Sequence, residues 1–436
     1  MGVTDARGFP LSGATAAAAD HYDRGIAAFN LVYGDALAAF DLAVEDAPAF
    51  VMARLAKAWI FALATDPGAT RAARAIAGSI EDLPMNDWEQ GHFVALLTQL
   101  EGAPERASRL LNEHLVRYPF DILAHECGFL LDLFLGQSRG LRDRPARALG
   151  LWPQDMPGYP TLLAFHSFGL EETGEYARAE AEARESAERE PYGFWAHHTV
   201  AHVMEMQGRP RDGIGWMIAR EPLWSTPDHV TQTHVWWHRA LFHIELGQFD
   251  AALALYDGPI TATRRPLGVN LTNASALLWR LHLLGCDVAD RWRELAPVWA
   301  GHADGRASVF CDLHAGLAEL GAGQDAPLRE RHAAMLATAA SAAEAAGTYR
   351  DVGVPLLEAF IAFGRGDYPL AAEALMNLRH QVWRIGGSHA QRDLVDWTLT
   401  EAALRGGLTD LSRALTQERL AQRPHSFINR AFLKRA

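Results

Sequence analysis

Histidine and glutamate are concentrated at helical spacing in the middle of the sequence. Seven of the 19 histidines fall within 47 consecutive residues, where uniform scatter would place about two. His198, His202 and Glu205 stand at positions i, i+4 and i+7, and this spacing puts all three on one face of a helix. His234 and His238 repeat the four-residue step further along the chain. The spacing therefore predicts a site in which several of these side chains meet.

Histidine is the commonest metal ligand and the usual general acid or base near neutral pH. Two imidazoles and a carboxylate on one helix form half a site for Zn, Fe or Mn, and a second histidine pair can complete it. The predicted metal ligands are His198, His202, Glu205, His234 and His238. The predicted catalytic residues, with or without a metal, are Glu172, Glu205 and His238. A structural network, with histidines hydrogen-bonded to carboxylates and backbone, explains the same spacing and stays open.

Four further residues are candidates for contacting a ligand. Trp237 is placed to wall a pocket, although aromatic pairs in helix arrays are more often core. Arg392 follows a glycine turn and is suited to hold an anionic group, or to pair with its neighbour Asp393. The predicted ligand-binding residues are Trp237, Asp312, His314 and Arg392.

The elements that must position these residues are helices. Ala, Leu, Glu and Arg dominate, apolar residues recur at i, i+3, i+4 and i+7, and alternating strand patterns are absent. Glycines recur every 34 to 39 residues; several are followed by an alanine five positions later, and Gly102 and Gly174 by a proline after seventeen. A unit of this kind is the tetratricopeptide pattern: the glycine permits a left-handed turn, the alanine lets two helices approach, and the proline ends the second helix.

The sequence thus predicts an all-α chain, an α-solenoid of tetratricopeptide-like helix pairs forming a right-handed superhelix. We expect a flexible N-terminus over residues 1–19, a continuous array over 20–420 and a capping tail over 421–436. In such a stack the first helix of each pair lines the concave face, and the candidate residues fall on these helices. The predicted first helices are 121–135, 160–173, 194–207, 229–246, 270–284, 306–320, 351–363 and 388–404.

The composition of the chain restricts which binding partners and which cellular compartment we expect. The formal net charge of −13, without a compensating basic run, argues against nucleic-acid binding. No apolar run is long enough to cross a membrane, and the beginning of the sequence lacks the pattern of a secretory signal. Three widely spaced cysteines indicate a reducing compartment. We therefore expect a cytoplasmic protein that binds neither nucleic acid nor membrane.

Six stretches of the sequence together resemble the tetratricopeptide repeat protein 38 family. They are SFGLEETGEY (167–176), HTVAHVMEMQG (198–208), HVWWHRALFHIELGQFDAALALYD (234–257), FCDLH (310–314), DVGVPL (351–356) and GGSHAQRD (386–393). The resemblance spans most of the chain and implies a tetratricopeptide-type fold, but it implies no particular reaction. The positions that match family motifs are Glu172, His198, His202, Glu205, His234, Trp237, His238, Asp312, His314, Gln391, Arg392 and Asp393. The chain departs from the motifs at His389, Val235 and Arg239, positions at the edge of the expected pocket.

Three functions fit this sequence. The first is a protein or peptide scaffold that uses the concave groove, although the first helices are poor in the lysines that suit an acidic peptide. The second is an enzyme, most plausibly hydrolytic, in which a metal lowers the pKa of a water or a glutamate acts as base. The third is a sensor of a metal or small molecule that uses the same residues without turnover.

Overall fold

A computed structural model describes residues 2–265, 267–302 and 308–436. Within these ranges the chain is all-α, as the sequence predicts: helices follow one another from Ala16 to Arg435, and the only extended pairing consists of two isolated β-bridges. No helix in the described part of the chain has both the length and the apolar character needed to cross a membrane.

The chain divides into two compact units. Unit 1 consists of Met1–Val200 and Pro222–Thr231, and unit 2 consists of Ala201–Glu221 and Gln232–Ala436. The helices that lie wholly in unit 1 are α1 (Ala16–Leu31), α2 (Ala36–Asp46), α3 (Val51–Leu63), α4 (Pro67–Gly78), α5 (Asp87–Leu100), α6 (Pro104–Arg117), α7 (Ile122–Phe134), α8 (Ser138–Leu149), α9 (Tyr159–Glu172) and α10 (Tyr176–Arg189). The division cuts two helices, α11 (Phe194–Met206) and α12 (Pro210–Trp224).

The remaining helices lie in unit 2. They are α13 (Gln232–Glu245), α14 (Phe249–Leu255), α15 (Thr261–Thr263), α16 (Gly268–Leu283), α17 (Ala289–Trp299), α18 (Val309–Gly321), α19 (Asp325–Ala339), α20 (Ala346–Thr348), α21 (Val354–Gly364), α22 (Tyr368–Leu378), α23 (His389–Arg405), α24 (Thr409–Gln422) and α25 (Phe427–Arg435). Short π-helical or 3₁₀ segments lie at Tyr256–Ile260, Tyr349–Gly353 and Arg379–Ile385. The predicted first helices correspond to α7, α9, α11, α13, α16, α18, α21 and α23; the predicted start of α18, residue 306, lies outside the described residues.

The helix pair α9–α10 illustrates how the repeat works. Gly174, two residues after the end of α9, has a φ of 84°, a left-handed conformation that glycine adopts without strain. Ala179 is fully buried where α10 packs against α9, so the small side chain permits the close approach. The second helix ends at Arg189, two residues before Pro191. The roles predicted for glycine, alanine and proline are therefore all found in this pair.

Both ends of the chain are packed. The sequence predicts flexibility over residues 1–19, but Phe9 stacks on Trp88 with ring centroids 4.7 Å apart. The backbone N–H of Ser12 donates to Glu89 over 2.7 Å, and both contacts lie within unit 1. At the other end, α25 packs against α24, α23 and α13 within unit 2. The C-terminal tail is thus a helix that covers the first and last helix pairs of that unit.

One helix, α16, occupies the middle of unit 2. It packs against α13, α18 and α23, and nearly every residue along it is buried. Asn270, Asn273 and Arg280 nevertheless lie on this helix at i, i+3 and i+10, on one face. A buried helix with a polar stripe must satisfy those polar groups inside the protein or with a ligand.

Candidate metal centre

The candidate centre lies within unit 2, on the C-terminal part of α11 and the first turns of α13. His202 and Glu205 come from α11, and His234 and His238 come from α13. The rings of His202 and His238 have centroids 4.5 Å apart, and those of His234 and His238 are 4.7 Å apart. Each of the three histidines offers a ring nitrogen, and these nitrogens lie within 4.8 Å of one another. The four-residue spacing on α13 therefore brings its two imidazoles against a third from α11.

Hydrogen bonds fix the orientation of His234. Its Nδ1 lies 2.8 Å from Oδ1 of Asn273, whose Nδ2 donates to the carbonyl of Val269 over 2.8 Å. Because the amide nitrogen of Asn273 is committed to Val269, its oxygen faces the imidazole and must accept from Nδ1–H. The lone pair of His234 is therefore on Nε2.

His238 is held in a similar way by a carboxylate. Its Nδ1 lies 3.1 Å from Oε2 of Glu205, so an ionised Glu205 accepts from Nδ1–H and leaves the lone pair on Nε2. The Nε2 atoms of His234 and His238 then face each other over 3.2 Å. Two lone pairs at this distance repel, so the arrangement requires a shared proton or a metal ion between them.

The geometry fits a metal ion. Two nitrogen ligands on a tetrahedral ion, with bonds of about 2.0–2.1 Å, lie about 3.3 Å apart. The separation of 3.2 Å between the two Nε2 atoms matches this edge. Asn273 and Glu205 act as the outer partners that usually orient metal-binding histidines.

Burial keeps these histidines neutral. It lowers the pKa of His234 to about 4, and it lowers the pKa of His238 well below its usual range, with His202 adding to the effect. A neutral imidazole has the free lone pair that a metal requires. Burial also raises the pKa of Glu205 to about 7, with Arg423 acting in the opposite direction. Near neutral pH, part of the Glu205 carboxyl is thus protonated. Glu205 can therefore supply the proton that His234 and His238 share when no metal ion lies between them.

Aromatic and cationic side chains stand beside the histidines. Trp237 stacks on His234 with centroids 5.3 Å apart and meets His238 edge-on at 4.7 Å. The guanidinium of Arg280, on α16, lies 5.5 Å from the ring of Trp237 and 5.9 Å from that of Trp397. The ring of Trp237 therefore contacts two of the histidines and also lies near a buried cation, while its predicted ligand-binding role stays a prediction.

The other predicted residues have further contacts within their own units. His198 belongs to unit 1, where its ring is stacked between Phe168 and Phe194 at 5.4 and 4.8 Å. Glu172 is the last residue of α9, also in unit 1, and is buried. In unit 2 both oxygens of Asp312 are engaged, one by Arg331 and one by the hydroxyl of Tyr349, each over 2.7 Å. These contacts give Asp312 a role in packing α18 against its neighbours.

The two remaining candidates are held by backbone carbonyls. Nδ1–H of His314 donates to the carbonyl of Phe310 over 2.7 Å, and burial lowers the pKa of His314 to about 4. Arg392 donates to the carbonyl of Gly387. The alternative pairing of Arg392 with Asp393 is not the main contact of that carboxylate, because Asp393 is bound by Arg419 over 2.8 Å.

Sequence reasoning missed Asn273, which orients His234, and Arg280. The signal was present in the sequence, since both interrupt the long apolar helix α16 on one face. Their partners lie 39 and 110 residues away, so no local pattern could identify what they contact.

A second group of ligand-type side chains lies in unit 1. Asp121 caps the first turn of α7, and its Oδ2 accepts from Trp88, from His92 over 2.7 Å and from His114 over 2.9 Å. Although burial acts to raise it, the two histidines hold the pKa of Asp121 well below its usual range. One carboxylate oxygen thus satisfies three donors, which explains this cluster as a structural network.

No family model matches the chain. A function for this protein is therefore argued from the chemistry of its own residues.

Proposed function

We propose that this protein binds a divalent transition-metal ion, Zn, Fe or Mn, through His202, His234 and His238, and that the metal holds a small ligand in unit 2. One observation carries the proposal: two imidazoles with their Nδ1 atoms committed to acceptors present Nε2 atoms 3.2 Å apart. The third imidazole, within 4.8 Å, favours a metal over a shared proton, because a proton bridges only two nitrogens.

We also propose that the chain belongs to the tetratricopeptide repeat protein 38 family. The motif stretches that resemble the tetratricopeptide repeat protein 38 family contain the three histidines, Glu205 and Trp237. If the chain is a member, the proposed ligands coincide with motif positions. A scaffold that only binds peptides has no need for three imidazoles packed against one another, so we propose ligand binding at the metal in preference to peptide binding.

Metal-dependent hydrolysis is the second candidate. It is favoured by the nitrogen ligands, since a metal ion that imidazoles hold can lower the pKa of a bound water to about 7. Glu205 already accepts from His238 in the ionised state, so its part in such a reaction is to orient that ligand. A general base would have to come from the substrate or from the water itself.

Elemental analysis of the untagged full-length protein tests the proposal. We expect about one equivalent of Zn, Fe or Mn, lost in His234→Ala and retained in His243→Ala. His243 lies on the same helix, but its Nδ1 pairs with Gln248 over 2.8 Å at the surface. If His234→Ala does not fold, the wild type is stripped with a chelator and titrated with Co²⁺, whose visible spectrum reports tetrahedral nitrogen ligands. A wild type that holds no metal and binds no Co²⁺ overturns the proposal in favour of the shared proton.

A further inference from the structure

Arg280 differs from three other buried arginines of this protein, Arg144, Arg331 and Arg419. Arg144 pairs with Asp132, Arg331 with Asp312, and Arg419 with Asp393, at distances between 2.7 and 2.8 Å. Arg280 is 2% exposed and donates only to two backbone carbonyls, those of Ala276 at 3.1 Å and Ala390 at 2.6 Å. Within the described ranges it has no carboxylate partner.

A buried guanidinium without a counter-ion is costly, so it is usually paired. Burial lowers the pKa of Arg280 to about 10, which still leaves it charged near neutral pH. The nearest firmly ionised carboxylate, Asp393, is bound by Arg419 and by Arg423. Glu205, the other carboxylate that acts on Arg280, is bound to His238, and burial raises its pKa to about 7. Neither carboxylate is therefore committed to Arg280.

The hydrogen-bonding capacity of Arg280 is also only partly used. A guanidinium has five N–H donors, and carbonyls accept from one Nη1–H and one Nη2–H of Arg280. The Nε–H and one hydrogen on each Nη remain, which is the arrangement that receives an oxyanion side-on through two parallel hydrogen bonds.

A second donor lies beside it. The indole Nε1–H of Trp237 is buried and has no hydrogen-bond partner among the described residues. Its ring lies 5.5 Å from the guanidinium of Arg280. Buried indole N–H groups usually find a partner. Those of Trp59, Trp152 and Trp195 also lack one among the described residues, but Trp237 in addition lies beside a buried guanidinium that has no carboxylate partner. Two neighbouring donors, one of them charged, call for an acceptor that is negatively charged.

We propose that unit 2 binds a small molecule through a carboxylate or phosphate group, which Arg280 and the indole N–H of Trp237 recognise. This oxyanion site is independent of the metal. The further step, that another part of the same molecule reaches the metal, rests on the proposed function. A molecule held by Trp237 would lie close to the metal ligands, because the ring of Trp237 contacts both His234 and His238.

The test is calorimetric titration of metal-free full-length protein with acetate and, separately, with inorganic phosphate. We expect saturable binding of at least one probe, and the stronger of the two identifies the oxyanion. Arg280→Met should weaken that binding about ten- to a hundredfold, the usual contribution of hydrogen bonds to a charged group. Arg365→Met, an exposed position at the end of α21, should leave it unchanged.

Stability separates a ligand-binding role for Arg280 from a structural one. An unpaired buried cation destabilises the empty protein, so Arg280→Met should raise the melting temperature without anion. If Arg280 served only to hold the carbonyls of Ala276 and Ala390, the same variant would melt lower. If Arg280→Met does not fold, Trp237→Phe should weaken anion binding about two- to tenfold, while an aromatic ring remains at that position.

The two proposals fail in different ways. His234→Ala should lose the metal and keep the anion, whereas Arg280→Met should keep the metal and lose the anion. Anion binding that depends on Arg280 in a protein without metal supports this inference and overturns only the proposed function. A wild type that binds neither acetate nor phosphate, or an Arg280→Met variant that binds as the wild type does, overturns the inference.

Discussion

Replacing Asn273 by leucine should weaken metal binding without touching a metal ligand. The only atom of Asn273 that faces the site is Oδ1, which accepts from Nδ1–H of His234 over 2.8 Å. Outer partners of this kind typically change metal affinity ten- to a hundredfold, or about 1.4–2.7 kcal/mol. The metal-free variant should also lose about 1–3 kcal/mol of unfolding free energy, because Nδ1–H of His234 remains buried without an acceptor.

Asn273→Asp is the matched control for this change. Aspartate keeps an acceptor for His234 but cannot donate to the carbonyl of Val269, so both variants lose that second bond. Their difference therefore isolates the hydrogen bond to the histidine. We expect the aspartate variant to bind metal at least as tightly as the wild type, because a carboxylate makes the imidazole more basic. The assay is competition against a chelating dye, and equal affinities of the leucine and aspartate variants would refute the role given to Asn273.

The remaining predictions concern stability. Burial raises the folded-state pKa of Glu205 from 4.5 to about 7, so the metal-free protein takes up a proton there on folding. The free energy of unfolding therefore falls as the pH rises between these two values, by up to ~3 kcal/mol. Glu205→Gln should remove this fall, so that its advantage over the wild type is larger at pH 8 than at pH 5 in urea titrations. A Cβ at Gly169 would lie 2.3 Å from a backbone nitrogen of α8, so Gly169→Ala should cost about 1–3 kcal/mol or more by the same assay. Gly215→Ala, in the interior of α12 with open space around it, should stabilise by about 0.5–1 kcal/mol. Asp132→Ala should cost about 3–5 kcal/mol, because it leaves the buried guanidinium of Arg144 without its partner at 2.7 Å.

Each of these has a clear contradicting result. A pH profile of Glu205→Gln parallel to that of the wild type would mean that Glu205 titrates normally in the folded protein. Equal effects of the two glycine substitutions would mean that α8 and α9 can separate at no cost. An Asp132→Ala variant as stable as the wild type would mean that water reaches Arg144 in its place.

The sequence by itself determined the helical class and most helix positions. The periodicity of apolar residues and the glycine spacing are local signals, because a helix repeats every 3.6 residues and a left-handed turn favours glycine. The structure agrees with both signals, since α9 ends before Gly174 and α10 ends before Pro191. The histidine pair on α13 was equally visible, since a four-residue step places two side chains on one face whatever surrounds them.

What each of those side chains contacts was decided by tertiary structure alone. Helical spacing placed His198 and His202 on one face, but only the packing decided that His198 stacks on Phe168 and Phe194 and that His202 meets His238. Asp312 was predicted to meet a ligand, but α19 brings Arg331 to it. Arg280 reaches its partner carbonyl across 110 residues of sequence. Contacts of this range depend on how whole helices pack, and packing is set by the sum of many side-chain volumes, which a short motif does not contain.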